Sequence, residues 1–311
     1  MQPQTQQPTT PNTLGMRPFS GLWTTARFTE AEQWLNRPIT TTVLMASRVS
    51  PEIMASNVNA LMNPKHKNGI PTTISNRLQI VMTIPLAFGK GINAKTAVGQ
   101  QTIKRLLTET AQGKHDNHYK TVAKTLAQAG HGDDIIRLGH EMTGAWYPWS
   151  AVHNTDSYKA AYKHVHAVMK QTAPQLRFEY NCAVSGLTTW GEAAYPGDQH
   201  VDIIGLDIYN KKQGKNPPPF QTTWQRKLLP ALESHLQLAR THGKPVSYAE
   251  WANGSVDEPA YIANMAEWFN RLPASGPGKL TYQCYFNVAQ PSYKLQNYPN
   301  TAAEYKRRFG H

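Results

Sequence analysis

The sequence predicts a single (β/α)8 TIM barrel, and three observations predict it. Eight short apolar runs rich in β-branched residues alternate with helical patterns along the 311 residues, an order that favours parallel pairing with right-handed crossovers. The fourth and seventh runs each reach a glutamate at their carboxyl end, the end where barrel strands open onto a cleft. No linker or internal repeat divides the chain, whose length suits one barrel.

Residues 1–15, MQPQTQQPTTPNTLG, are rich in Gln, Thr and Pro and read as a disordered leader before a barrel domain at 16–311. The leader has no basic n-region or apolar h-region and is not a signal peptide. It reads as the mature terminus left by a removed signal, so a secreted or periplasmic protein is expected.

The run PFSGLW (18–23) is the expected first strand, with a short helix over 29–35 that Arg37-Pro38 ends. ITTTVLMA (39–46) is the second strand, and Ser50-Pro51 starts the next helix as N-cap and first residue. LQIVMTIP (78–85), a continuous apolar run, suits a strand covered on both faces. Helix follows between 94 and 126, broken near Gly113.

The fourth strand, 133–141, precedes a helix at 155–169 capped by Thr155 or Asp156. LRFEYNC (176–182) and VDIIGLDIY (201–209) are the fifth and sixth strands, the latter followed by the stiff, basic loop KKQGKNPPPF (211–220). A helix over 224–241 leads to the seventh strand, PVSYAE (245–250). A helix at 258–271, the eighth strand at 280–287 and a helix at 301–309 complete the pattern.

Hydrophobic residues make up 40% and charged residues 17%, which permits a sizeable core and excludes global disorder. The net charge of +12 favours anionic partners. Solubility alone accounts for it, and an acidic polysaccharide or a cell surface fits it too. The basic residues are scattered and no zinc-ligand or RNA-recognition pattern occurs, so no nucleic-acid partner is expected. No apolar run of about 18 residues marks a membrane span. Cys182 and Cys284 lie inside core strands and read as two buried thiols. Gly89-Lys90-Gly91 lacks phosphate-loop spacing, no serine sits in a GxSxG elbow and no HExxH pair exists, so neither a metal nor a cofactor is expected.

The fourth strand draws the chemistry together. Alternation along it places Arg137, Gly139 and Glu141 on one face and Ile136, Leu138 and His140 on the other. A buried Glu141–Arg137 pair is the plain reading. The aromatic loop that follows, with Trp146, Tyr147 and Trp149 in four positions, suits stacking on sugar rings instead.

The run RLGHEMTGAWYPW (137–149) resembles the acid/base strand of glycoside hydrolase family 26, whose members carry a His-Glu-Met-Asn-Gly-like motif followed by aromatics. AAYPGDQHVDIIGLDIYN (193–210), GKPVSYAEWANG (243–254) and QCYFN (283–287) agree with that family in order and spacing, so the resemblance covers about 21–310. Thr143 departs from it, standing where the family has Asn.

The resemblance implies a retaining, endo-acting hydrolase of β-linked polysaccharide, with Glu141 as acid/base and Glu250 as nucleophile. Strands four and seven face each other across an eight-stranded barrel, and glycoside hydrolysis needs two carboxyl groups in different protonation states. Arg137 or the Tyr209 hydroxyl can keep Glu250 ionised. His140 is expected to bond substrate or orient a carboxylate, although a lone strand histidine is otherwise a packing residue. Trp146, Trp149, Trp251 and Tyr285 are expected as sugar-stacking walls, each with core or rim packing as its plain alternative. Asn181 and Asp207, at strand ends, can bind sugar hydroxyls, and Asp207 can equally pair with a loop.

The family most often takes β-mannan, less often mixed-linkage β-glucan or xylan. Thr143 and the basic charge admit a bacterial, acidic exopolysaccharide as an alternative. A monomer is expected. A non-catalytic carbohydrate-binding protein is the rival from another class, against which the two opposed glutamates argue.

Overall fold

The computed structural model describes residues 14–16, 25–211, 217–288 and 290–310. Parallel strands β1 (Gly15–Met16), β2 (Thr41–Met45), β3 (Gln79–Ile84), β4 (Ile135–Leu138), β5 (Arg177–Ala183), β6 (Ile203–Lys211), β7 (Val246–Gly254) and β8 (Leu280–Tyr285) close in chain order into a barrel. The run at 18–23, expected as the first strand, lies outside the described residues. The closing strand is Gly15–Met16, with Gly15 in register with Thr41 on one side and Cys284 on the other. A Cβ on Gly15 would stand 1.9 Å from the Gln283 carbonyl oxygen, so only glycine admits so close a seam. Leu14 and Gly15, assigned to the leader by composition, are thus buried parts of the barrel.

Helices α1 (Thr25–Leu35), α2 (Pro51–Met62), α3 (Thr72–Ser75), α4 (Ala97–Ala111), α5 (Asp116–Gln128), α6 (Thr155–Thr172), α7 (Leu187–Trp190), α8 (Phe220–Thr223), α9 (Leu229–Thr241), α10 (Pro259–Arg271) and α11 (Pro299–Phe309) accompany the strands. Ser50 caps α2 by accepting from the Ile53 amide at 3.3 Å, ahead of Pro51. Gly113, at φ 84°, separates α4 from α5 as expected. Asn154, rather than Thr155 or Asp156, holds the N-cap position of α6. The helix expected over 224–241 is instead a π-helical turn, Trp224–Leu228, continuing into α9. Among the described residues no helix is long and apolar enough to cross a membrane. Cys182 and Cys284 are buried free thiols, as read from their strands.

Strand parity sorts the two cores. Val43, Val81, Ile135, Ile203, Ala249, Tyr282 and Cys284 form a separate apolar cluster, and the alternating residues pack with the helices in the larger one. β7 carries an irregularity: Ser247 pairs with Gly205 and Trp251 with Ile208, so β7 holds one residue more than β6 over that stretch. The same slip recurs against β8, where Tyr248 pairs with Gln283 and Trp251 with Tyr285. The bulge re-phases the strand between Tyr248 and Trp251, so that Ala249 joins the apolar cluster while its neighbour Glu250 meets the polar groups of β4.

Candidate active site

Arg137, on β4, is fully buried and organises the carboxyl end of the barrel. Its Nη1 donates to Glu250 Oε1 at 2.7 Å and to Thr83 Oγ1 at 3.3 Å. Its Nη2 donates to Asn181 Oδ1 at 3.2 Å and to Asp207, and its Nε faces Glu179 Oε1 at 3.7 Å. One guanidinium therefore serves three buried carboxylates, and burial holds Glu179 and Asp207 above the usual carboxylate range against its pull. Gly205 makes the room, since a Cβ there would lie 2.4 Å from Glu179 Oε1 and 2.9 Å from Asn181 Nδ2.

Glu250 is held at both oxygens, by Arg137 on one and by the Tyr209 hydroxyl, which donates to Oε2, on the other. Both partners were expected from their strand positions. These bonds fix the orientation of the carboxyl group.

Glu141 is positioned differently. β4 stops at Leu138, and Gly139 (φ 56°) and Glu141 (φ 51°) adopt left-handed backbone, so the strand alternation expected to run through 141 ends early. A non-glycine residue in that region stores strain that surrounding bonds must hold. Here Asn181 Oδ1 accepts from the Glu141 amide at 3.0 Å, and Glu141 Oε2 accepts from the Trp146 indole at 2.8 Å. Trp146 can fold over Glu141 because a Cβ on Gly144 would meet its ring at 2.3 Å. Burial first, and the nearby Glu250 second, push the Glu141 carboxyl up to about 7.

Glu141, Trp146, Asp207, Tyr209 and Lys211 line a cavity of about 550 Å3 that α9 and the π-helical turn wall on the other side. Trp146 is 47% exposed there, free to meet a sugar face.

Other expected contacts fall elsewhere. Trp251 follows Glu250 on a strand, so alternation turns it to the helices. It is buried against Tyr261, Phe269 and Phe309 and donates to Gln283 Oε1 at 2.7 Å. Tyr285 is out of phase with Tyr282 and Cys284 and packs on Trp251 and Tyr305. Trp149 is buried, stacked on Tyr147 and bonded to the His140 carbonyl at 2.7 Å. None of the three is a sugar wall.

His140 is buried with Nε2 3.0 Å from the Tyr147 hydroxyl, and burial drives its pKa well down, so it braces the aromatic loop as neutral imidazole and touches neither carboxylate. Asn181 is buried as a bracket between Arg137, Glu141 and Asp207 rather than a free sugar ligand. Thr143 exchanges bonds of 2.9 Å with the backbone of Ala183, so the departure from Asn falls on the β4–β5 connection and not on a carboxylate. Glu179 and its donor Tyr282 escaped notice, although a charge inside LRFEYNC, a strand covered on both faces, was the available signal.

Three comparisons bear on this geometry. The sequence profile of glycosyl hydrolase family 26 matches residues 39–274. Endoglucanase H of Acetivibrio thermocellus is 25% identical over 215 residues, which are 64% of this chain and 22% of that protein. A mannan endo-1,4-beta-mannosidase of Bifidobacterium adolescentis is 25% identical over 173 residues, 52% of this chain and 17% of its own. The chain thus spans about a fifth of the length of these relatives. Among solved structures, the catalytic domain of a Bacillus sp. JAMB-750 GH26 endo-beta-1,4-mannanase matches with TM-score 0.59 and 17% identity, over 91% of this chain and 80% of the other, a likeness of fold.

Proposed function

The chain belongs to glycosyl hydrolase family 26, and from that premise we propose that it is an endo-acting glycoside hydrolase that cleaves a β-1,4-linked mannan or related β-glucan with retention. One observation carries the reading: two carboxyl groups share a site but are prepared for opposite tasks. Glu250 is gripped at both oxygens by Arg137 and Tyr209, whereas Glu141 sits under Trp146 with its carboxyl pushed up to about 7.

In the first step Glu250 attacks the anomeric carbon while the Glu141 proton goes to the departing glycosidic oxygen, leaving a glycosyl–Glu250 ester and a carboxylate at Glu141. In the second, Glu141 takes a proton from water, the hydroxide oxygen bonds to the anomeric carbon, and Glu250 leaves as carboxylate. Trp146 stacks on the sugar beside the scissile bond and damps the motion of Glu141 through its indole bond. The barrel domain carries this activity. A polymeric substrate places its work outside the cytoplasm, by secretion or in the periplasm.

Reducing-sugar release from mannan, galactomannan, mixed-linkage glucan, xylan and acidic exopolysaccharides tests the reading. Release from at least one polymer, lost in Glu141→Gln, is the expected result, and no release from any of them would sink it. On the cleaved polymer kcat/KM is expected to fall about tenfold per pH unit above pH 7, as Glu141 loses its proton.

The same carboxyl leaves a stability signature. Its pKa is raised above the ordinary value of 4.5, so its contribution is full below about pH 4.5 and lost as pH rises through about 7. Glu141→Gln escapes that loss. Its Tm should match wild type at pH 4 and exceed it by a few degrees at pH 8, and a Tm gap independent of pH would contradict the shifted carboxyl.

Trp146→Ala is expected to raise KM about tenfold through lost stacking. An unchanged KM would remove Trp146 from the sugar-binding wall.

A further inference from the structure

The cavity has a second charged wall, basic where the first is acidic. β6 ends on Lys211 and the π-helical turn contributes Arg226 and Lys227, all three exposed and all lining the same 550 Å3 space as Glu141, Trp146 and Tyr209. They also line an adjoining cavity of about 290 Å3 together with Pro217 and Pro218. The basic wall is therefore shared by two adjoining cavities, only the first of which is lined by Glu141.

Some surface arginines are matched, Arg77 with Glu32 at 2.6 Å, Arg105 with Glu109 at 2.5 Å and Arg308 with Glu304 at 3.0 Å, and others among the described residues, such as Arg48, Arg240 and Arg271, are not. What sets Lys211, Arg226 and Lys227 apart is that all three line one cavity. Among the described residues no carboxylate lies within 4.0 Å of Lys211, Arg226 or Lys227. The Lys211 ammonium rests instead 4.5 Å over the ring of Tyr209, beside Glu250. Three cations that repel one another in a concave wall concentrate field into the cleft and are relieved when an anion enters. A neutral mannan chain draws nothing from that field.

We propose that the cleft takes an anionic β-linked polysaccharide, one of whose carboxylate or phosphate groups sits against Lys211, Arg226 and Lys227 while a neighbouring sugar lies between Glu141 and Glu250. This rests on the hydrolase reading for the polymer and adds its charge. Arginine matches either oxyanion by a two-pronged bond and the lysines act as point charges, so the wall accepts both anions.

The test is calorimetric binding to the Glu141→Gln protein at about 0.15 M salt, where fields beyond about 8 Å are screened. The ligands are a β-1,4-mannuronate hexasaccharide, β-1,4-mannohexaose, which differs from it in lacking the carboxylates, and a phosphorylated mannan fragment of similar length. The mannuronate is expected to bind roughly tenfold or more tightly than mannohexaose. Adding Arg226→Gln and Lys227→Gln should collapse that ratio towards one. Lys120→Gln with Lys124→Gln, exposed on α5, should leave it in place.

Equal binding of the acidic and neutral hexasaccharides overturns the proposal, and so does a ratio that the α5 pair erodes as much as the cleft pair. The phosphorylated fragment binding tighter than the mannuronate assigns phosphate as the anion, and the reverse order assigns carboxylate. Binding is read without turnover, so a failed hydrolysis panel leaves this result standing. Hydrolysis of neutral mannan with equal binding would remove the anionic subsite alone.

Discussion

Glu250→Ala is expected to lower turnover on the cleaved polymer by about 10^4-fold or more, because no other group is aimed at the anomeric carbon to form the intermediate. The fold should tolerate the change: Arg137 keeps Asp207 and Asn181 as acceptors, so no bare charge is left. Added azide separates the two glutamates. In Glu250→Ala azide takes the place of the nucleophile and gives a glycosyl azide of inverted configuration. In Glu141→Ala it attacks the glycosyl–Glu250 ester and gives one of retained configuration. Loss of less than about tenfold in Glu250→Ala would take the nucleophile role away from that residue.

Arg137→Met is expected to cost about 3–5 kcal/mol and to lower Tm by on the order of 10 °C, because Glu179, Asp207 and Glu250 then face one another without a buried cation. The carboxyls can escape by keeping protons, so their folded pKa values rise above the unfolded ones. Stability then survives at low pH and is lost as pH rises, making the deficit larger at pH 8 than at pH 5. Arg137→Lys should not rescue it, since one ammonium cannot reach Thr83, Glu250, Asn181 and Asp207 at once. Thermal unfolding at both pH values decides it, and a Tm within about 2 °C of wild type would mean the cluster does not depend on this cation.

What could be read beforehand divides along a physical line. A parallel strand covered on both faces must be a short apolar run bounded by turns, so LQIVMTI and VDIIGLDIY stood out and the barrel followed. The two glutamates stood out because they end such runs, and Arg137 and Tyr209 because they share that end. Parity was harder to follow. The β7 bulge and the left-handed turn after Leu138 are backbone events that leave no composition signal, and they decide where Glu141 and Glu250 point. Trp251 and Tyr285 misled for a simpler reason: being aromatic and next to a site is weaker evidence than the alternation that turned both outward. The basic wall was legible in part: Lys211 opens the basic stretch at 211–220, but Arg226 and Lys227 lie on a helical turn that only the barrel brings beside it.

The π-helical turn at Trp224–Leu228 sets that wall in a way that residue identity does not. A π turn is an α-helix carrying one residue too many. Removing Gln225 would let α8 run into α9 as continuous α-helix and rotate the two sides of the junction by about 100° relative to each other. Either Arg226 and Lys227 or α8 with the prolines before it would then change its aspect to the cleft, at constant net charge. Loss of a single codon is therefore enough to redraw ligand preference while every carboxylate stays in place, which makes chain length at this junction, as much as sequence, a variable on which selection can act.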